Sequence, residues 1–271
     1  MIVPNKVAHW LAGLACAASF AGSVQADALQ DAIKGDQRTP AYAERDKYRH
    51  PAETLTFFQL KPEMTVVEIW PGGGWYTEIL APMLKEKGTL YAAHFPKDTD
   101  VGYFKRSREG FEKLLSEDDI YSAVKLTEFA PGGDSEIAPE GSADAVVTFR
   151  NVHNWMGGNN EQRAFKAFFK ALKPGGVLGV VEHRAKPGTS REDMGKSGYV
   201  TQDYVIELAK NAGFVLEESS EINANPKDSA DHPKGVWTLP PSLRLGDEDK
   251  DKYLAIGESD RMTLRFRKPK S

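Results

Sequence analysis

Val66-Val67-Glu68-Ile69-Trp70-Pro71-Gly72-Gly73-Gly74-Trp75-Tyr76-Thr77 is the stretch on which the fold turns. It begins in a β-rich apolar run, Met64–Trp70, passes through three glycines, and opens an amphipathic helix over Trp75–Lys85. In an open parallel α/β sheet, ligands sit at the carboxyl ends of the strands. Glycine at such a turn lets the backbone approach a ligand with no Cβ between them. A Gly-Gly-Gly turn is equally compatible with a tight strand-to-helix connection, so its surroundings decide.

Outward from the loop, strand and helix signals alternate. Strands are expected at Thr89–His94, Ala123–Phe129, Ala143–Phe149, Val177–Glu182, Phe214–Ile222 and Arg261–Phe266. Helices are expected over Val101–Leu115, Asn160–Leu172 and Thr201–Ala212, with Thr201 as cap and Gly213 as stop. The second of these carries Phe165, Phe168, Phe169 and Leu172 on one stripe, and Lys173-Pro174-Gly175-Gly176 turns it into the fifth strand. Strands separated by such helices build a doubly wound, mostly parallel sheet covered on both faces, a three-layer α/β fold. Upstream, Ala28–Gln59 is helical in pattern, with Thr39-Pro40 as a cap and first-turn proline, and Pro51 opens a short helix, Pro51–Leu60. No repeat or composition shift divides the chain. Residues 27–271 read as one domain, with 27–62 as a helical lid and 224–258, rich in Pro, Asp and Lys, as a long connection before the last strand.

Residues 1–26 read as a cleavable signal peptide: one charge at Lys6, an apolar run over Val7–Ala21, and small residues up to a cleavage point after Ala26. The run is short and Ala/Gly-rich for a span of about 20 residues. A lipoprotein reading of Cys16 is weaker, because Gly13 stands where a lipobox has an aliphatic residue. A periplasmic or secreted chain is expected, with no stable membrane insertion after cleavage. Cys16 is the only cysteine, so the mature chain carries no disulfide. The formal charge of −4 becomes −5 once Lys6 is gone, and such acidity gives no electrostatic footprint for nucleic acid.

The run from Glu68 to Gly74 resembles motif I of class I S-adenosylmethionine (SAM)-dependent methyltransferases, acid-x-Gly-x-Gly-x-Gly. Glu68 falls on the acid, Trp70 on the first glycine, and Gly72 and Gly74 on the second and third. Asp144-Ala-Val-Val-Thr-Phe-Arg-Asn-Val-His-Asn-Trp155 matches the fourth strand and the loop after it, and Leu172-Lys-Pro-Gly-Gly-Val-Leu178 the turn before the fifth. Arg45-Asp46-Lys47-Tyr48-Arg49-His50-Pro51, with Trp70–Trp75, is similar to a subfamily of predicted bacterial methyltransferases with signal peptides. The match runs from about Ala41 to Pro269. The resemblance implies a seven-stranded Rossmann-like sheet with an antiparallel last strand, and SAM as cofactor. It implies Glu68 at the amino group of the methionine moiety, and the backbone of Pro71, Gly72, Gly73 and Gly74 against the cofactor. A dinucleotide fingerprint fits less well, since counting from Gly72 its third glycine falls at Thr77.

There are two departures from the family pattern. Trp70 in place of glycine calls for a turn conformation open to a bulky L-residue. His94 ends the second strand where the family carries an acid that grips both ribose hydroxyls. A neutral imidazole accepts one hydrogen bond there and cannot chelate two hydroxyls; Glu136 or Asp134 would then supply the acid.

Methyl transfer is an in-line displacement at a sulfonium carbon, to which a protein contributes positioning, water exclusion and, for a protonated nucleophile, a base. His153 and His183, past the fourth strand and past the fifth, are the base candidates, or else order their loops. Asn151 is a hydrogen-bonding partner for cofactor or substrate, and Arg150 holds an acidic group or pairs with a neighbouring carboxylate. By resemblance, Arg45, Arg49 and His50 belong to a lid over the cofactor; read alone, they fit a packed N-terminal helix as well. Trp155 and Trp237 offer an aromatic wall, although Trp237 also fits a core plug, and Tyr199 offers a further ring to the site. No metal site is expected, because the histidines are scattered without i,i+4 pairs. There is no Gly-x-Ser-x-Gly elbow of a hydrolase. The sequence reads as an exported SAM-dependent methyltransferase with a small-molecule substrate. The alternative is a non-catalytic exported binding protein for a nucleoside-like ligand on the same fold. Nothing in the sequence speaks to oligomeric state.

Overall fold

The computed structural model describes residues 28–133 and 135–270. The expected signal peptide and Asp134 lie outside the described residues. The strands are β1 (Thr65–Ile69), β2 (Thr89–His94), β3 (Lys125–Glu128), β4 (Ala143–Phe149), β5 (Leu172–His183), β6 (Val215–Ser220) and β7 (Arg261–Arg267). They form one sheet in the order β3-β2-β1-β4-β5-β7-β6. The first five run parallel, and β7 enters antiparallel between β5 and β6.

The inner strands are apolar because both of their faces are covered. Val66 and Val67, successive in β1, point to opposite sides and belong to different core clusters. One face packs against Phe165 and Phe168 of α8 (Glu161–Ala171) and Val205 and Leu208 of α10 (Gln202–Asn211). The other takes Leu55 of α4 (Pro51–Phe57) and Ile79, Leu80 and Leu84 of α5 (Thr77–Leu84). The remaining helices are α1 (28–34), α2 (Pro40–Ala43), α3 (Asp46–Arg49), α6 (Gly102–Glu117), α7 (Val152–Met156), α9 (Arg191–Ser197) and α11 (Lys250–Ile256). None in the described residues is long and apolar enough to cross a membrane.

Four differences from the sequence reading have local causes. The helical pattern of Ala28–Gln59 is cut into four short helices: Pro40 and Pro51 each open a new one, and His50 between α3 and α4 takes a left-handed φ of 41°. Helix α5 begins at Thr77 because the seven residues before it wind as an irregular turn. Strand β5 starts at Leu172, which pairs with Ala143; the expected turn at Lys173–Gly176 is an irregularity inside the strand, where Gly175 has φ of 81°. The long connection winds a 3-10 turn at Gly235–Thr238 and then α11. Thr201 caps α10 as expected, its hydroxyl accepting from the Tyr204 N–H.

Candidate functional site

The β1–α5 turn stands at the carboxyl edge of the sheet, and three kinds of residue shape it. Gly72 has φ of 62°, and a Cβ built there meets no atom within 4 Å, so its backbone borders open space. Gly73 and Gly74 are glycines for packing: a Cβ would collide with the Tyr42 hydroxyl at the first and with Leu114 at the second. Trp70 has φ of 47°. The expected conformation open to an L-residue is therefore not the one adopted, and a left-handed backbone costs roughly 1–2 kcal/mol at a non-glycine residue. What holds it is its side chain. The indole Nε1 donates to the Phe129 carbonyl at 2.9 Å. Its ring lies 4.6 Å from that of Phe95 and 5.8 Å from that of Trp155.

His94 braces the same loop from beneath. The Phe95 backbone N–H donates to its Nδ1 at 2.8 Å, so Nε2 carries the proton and donates to the Gly72 carbonyl at 3.1 Å. Burial holds the ring neutral, lowering its pKa to about 4. Both nitrogens are committed to the backbone, which corrects the expectation that His94 offers an acceptor to a ribose. Glu136 does not replace it: it lines a different hollow, with Arg163 and Lys166 of α8.

The cleft beside Gly72 has a volume of about 240 Å³ and is lined by Glu68, Trp70, Pro71, Gly72 and Gly73, with Arg49, Tyr103, Arg150 and Asn151 around them. Glu68 is 2% exposed and accepts from the Thr77 hydroxyl at 2.6 Å. Burial raises its pKa to about 7, against the opposing pull of that bond. Asn151 is fixed by its amide, which donates to the Ile69 carbonyl at 2.9 Å.

A second cavity of about 310 Å³ adjoins the first, and Arg45, Arg49, Tyr103, Arg150 and Asn154 line both. His153, His183, Trp237, Pro240, Pro241 and Glu258 are among the residues that line it alone. Glu258 ties three arginines together: Arg45 at 2.6 Å, Arg49 at 3.2 Å and Arg261 at 3.2 Å. Burial pushes its carboxyl up, but Arg49, Arg261, Arg45 and Arg150 outweigh it and hold the pKa at about 2. Arg49 and Arg150 each keep a buried Nη1 with no hydrogen-bond partner among the described residues. Arg150 is itself strained, with φ of 62°.

Strands β4 and β5 run side by side, so helix α7 just past β4 and the end of β5 bring His153, Glu182 and His183 together, with a ligand-type atom from each within 4.8 Å of the others. Spacing along the chain gave no sign of this group, and such a donor set can hold a metal ion. Its surroundings oppose a cation. Burial, then His153, Arg150, Arg261 and Arg49 push the His183 pKa well down. Glu182 is fully buried and accepts from the Val152 N–H at 2.6 Å, the His183 N–H at 2.8 Å and His153 Nδ1 at 3.1 Å. His153 Nδ1 is thus the donor, and Nε2 keeps the ring's lone pair. His183 Nδ1 shares a hydrogen bond of 2.5 Å with the Ser259 hydroxyl.

Three residues expected at the site do not line it. Trp155 is 1% exposed and packs with Trp70, Phe129 and Phe168, a core ring rather than a wall. Tyr199 is 1% exposed, and its hydroxyl donates to Asp228 at 2.9 Å. His50 is the hinge between α3 and α4 and lines neither cavity. Residues that the sequence reading passed over supply the walls instead: Tyr103 of α6, and Pro240 and Pro241 and Glu258 of the long connection. Only their closeness in space marks them.

No family model matches the chain, and no curated protein is similar to it in sequence. Solved structures are similar in fold. A SAM-dependent methyltransferase from Aquifex aeolicus superposes with a TM-score of 0.54 at 17% identity, covering 87% of this chain and 96% of that one. The [4+2]-cyclase SpnF does so with 0.58 at 14%, covering 93% and 96%. A SAM-dependent methyltransferase from Methanosarcina mazei gives 0.53 at 11%, covering 80% and 98%. One of the three is a cyclase, so the shared architecture leaves the chemistry to the site. The chain has the seven-stranded, Rossmann-like fold of the class I methyltransferases.

Proposed function

We propose that the chain is a SAM-dependent methyltransferase for a small-molecule acceptor, and that its leader exports it to the periplasm or beyond. The observation that carries this reading is the pairing, in one cleft of this fold, of an open Gly72 backbone with the buried carboxyl of Glu68. When bound, SAM supplies a methyl group on a positively charged sulfur.

The methionine end fits the residues present. Glu68, held near neutrality by burial, is ready to ionise beside an ammonium group, and Gly72 leaves room for a ligand against its backbone. The family's ribose-gripping acid has no counterpart in the described cleft. Trp70 and Tyr103 line it instead, aromatic residues of the kind that suit stacking against a base and attraction for a sulfonium. His153 is the candidate general base: Glu182 orients its ring and stabilises the imidazolium that forms when Nε2 takes a proton. Arg49 and Arg150 lie between the two cavities, placed to orient whatever spans them.

The test is thermal melting of the mature protein with SAM and with S-adenosylhomocysteine. A ligand at 100 times its Kd adds about 2.7 kcal/mol, a plain upward shift, and Glu68→Ala is expected to abolish it. No shift at millimolar ligand would favour the second reading, a non-catalytic exported binding protein. That reading draws on His94, whose two nitrogens are both taken up by backbone groups.

A further inference from the structure

The second cavity has more positive charge than its own carboxylates balance. Three guanidiniums, those of Arg45, Arg49 and Arg150, line it against the single carboxylate of Glu258, which pairs with Arg45, Arg49 and, from outside the cavity, Arg261. The other nearby acid, Glu182, is engaged by backbone N–H groups and His153. Arg49 is 2% exposed, and its Nη1 and that of Arg150 have no acceptor among the described residues. Buried guanidinium donors without acceptors are costly, and both arginines line this cavity. The cheapest way to satisfy them is a ligand oxyanion, which a guanidinium grips with two parallel hydrogen bonds. Val236, Trp237, Pro240 and Pro241 add apolar surface to the same cavity.

We propose that this cavity is the acceptor site and that it takes a small hydroxy-carboxylic acid, its carboxylate held by Arg49 and Arg150 and its hydroxyl turned to His153. The assignment rests on the methyltransferase reading above for its chemistry, though not for its charge. In the transfer step the hydroxyl oxygen forms a bond to the methyl carbon, and the carbon–sulfur bond breaks with its electron pair going to sulfur. The hydroxyl proton passes to His153 Nε2. The products are a methyl ether and S-adenosylhomocysteine, and the carboxylate is unchanged. It serves as the handle, not the nucleophile.

The test is calorimetric titration of the mature protein, without SAM, using acid and amide pairs of equal shape: 4-hydroxybenzoate with 4-hydroxybenzamide, and lactate with lactamide. Phenyl phosphate is a fifth probe. At least one acid is expected to bind ten times or more tightly than its amide and to weaken as salt rises. Arg150→Gln is expected to lose that preference by about tenfold while leaving the amide unchanged. Should this variant fail to fold, the wild-type pairs still decide. Equal binding of acid and amide, no binding by either acid, or binding by phenyl phosphate alone would overturn the proposal. Parallel melting with S-adenosylhomocysteine separates the two claims. If that compound stabilises and the acids do not bind, the acceptor class falls and methyl transfer stands. If the acids bind and it does not stabilise, the anion site stands and methyl transfer falls.

Discussion

Glu68 at the fourth position of β1 and His94 at the end of β2 are buried groups whose titrations run against each other. Glu68 keeps its proton in the folded chain up to about pH 7, whereas an exposed glutamate loses it near 4.5. Folding therefore weakens as pH rises from 4.5 to 7. His94 stays neutral in the folded chain down to about pH 4, where a free imidazole takes a proton near 6.5. Folding therefore weakens as pH falls from 6.5 to 4. Each displacement is worth about 3 kcal/mol. Between pH 4.5 and 6.5 the two offset, so these sites leave the wild-type melting temperature nearly level. Glu68→Gln is expected to uncover His94: its melting temperature should climb with pH from 4 to 6.5, and at pH 8 exceed that of the wild type. A set of melts from pH 4 to 8 checks this, and parallel curves for the two proteins would refute the Glu68 value. For catalysis, His153→Gln should slow turnover by roughly 10²–10⁴ and leave S-adenosylhomocysteine binding intact, measured by single-turnover kinetics and calorimetry.

The turn between β1 and α5 shows the same logic across several residues. Gly72 and Gly74 both have left-handed φ, but only Gly74 is packed, against Leu114 and Phe111. Gly72→Ala is expected to cost roughly 1–2 kcal/mol of stability from backbone strain alone and to weaken ligand binding, because its methyl enters the cleft. Gly74→Ala adds a collision and should destabilise more. Denaturant midpoints and melts with S-adenosylhomocysteine distinguish the two. Trp70→Gly relieves the strain but strips out a ring packed against Phe95, Phe104, Phe129 and Trp155. Losing a packed aromatic costs about 3–5 kcal/mol, so a net loss is expected. This turn was legible in the sequence because its signal is local: an acid, three glycines and a helix within twelve residues. The seven strands were legible for the same reason, as apolar runs between turn residues. What lay beyond reading was set by distance. His94 has its role because a carbonyl 22 residues earlier comes within 3.1 Å of it. Helices α7 and α9 are too short to carry a period, and Trp155 reads as a site residue until Trp70 and Phe168 are seen to enclose it.

Across the whole molecule, the site is closed by segments from opposite ends of the chain. Arg45 and Arg49 precede the sheet, Glu258 and Arg261 come at its end, and the Arg45–Glu258 pair joins residues 213 apart. Removing one member of a buried ionic group leaves the others uncompensated, at about 3–5 kcal/mol. Glu258→Gln is expected to lose that much in chemical denaturation, and limited proteolysis should then cut faster within residues 28–60. The wild type should resist the same failure until pH falls well under 4.5, since the Glu258 carboxylate stays ionised down to about 2. None of this closure is visible in a sequence, where arginines spread over more than 200 positions carry no sign of sharing one partner. The placement of β7 has a temporal consequence. Its neighbours on either side, β5 and β6, are made before it, yet they meet only through it. Until residues 261–267 have been synthesised, β5 keeps an open edge and β6 has nothing to pair with, and Glu258 lacks its Arg261 partner. The nascent chain therefore keeps this edge of the sheet open until β7 emerges, and the sheet and the Glu258–Arg261 pair are completed in one step.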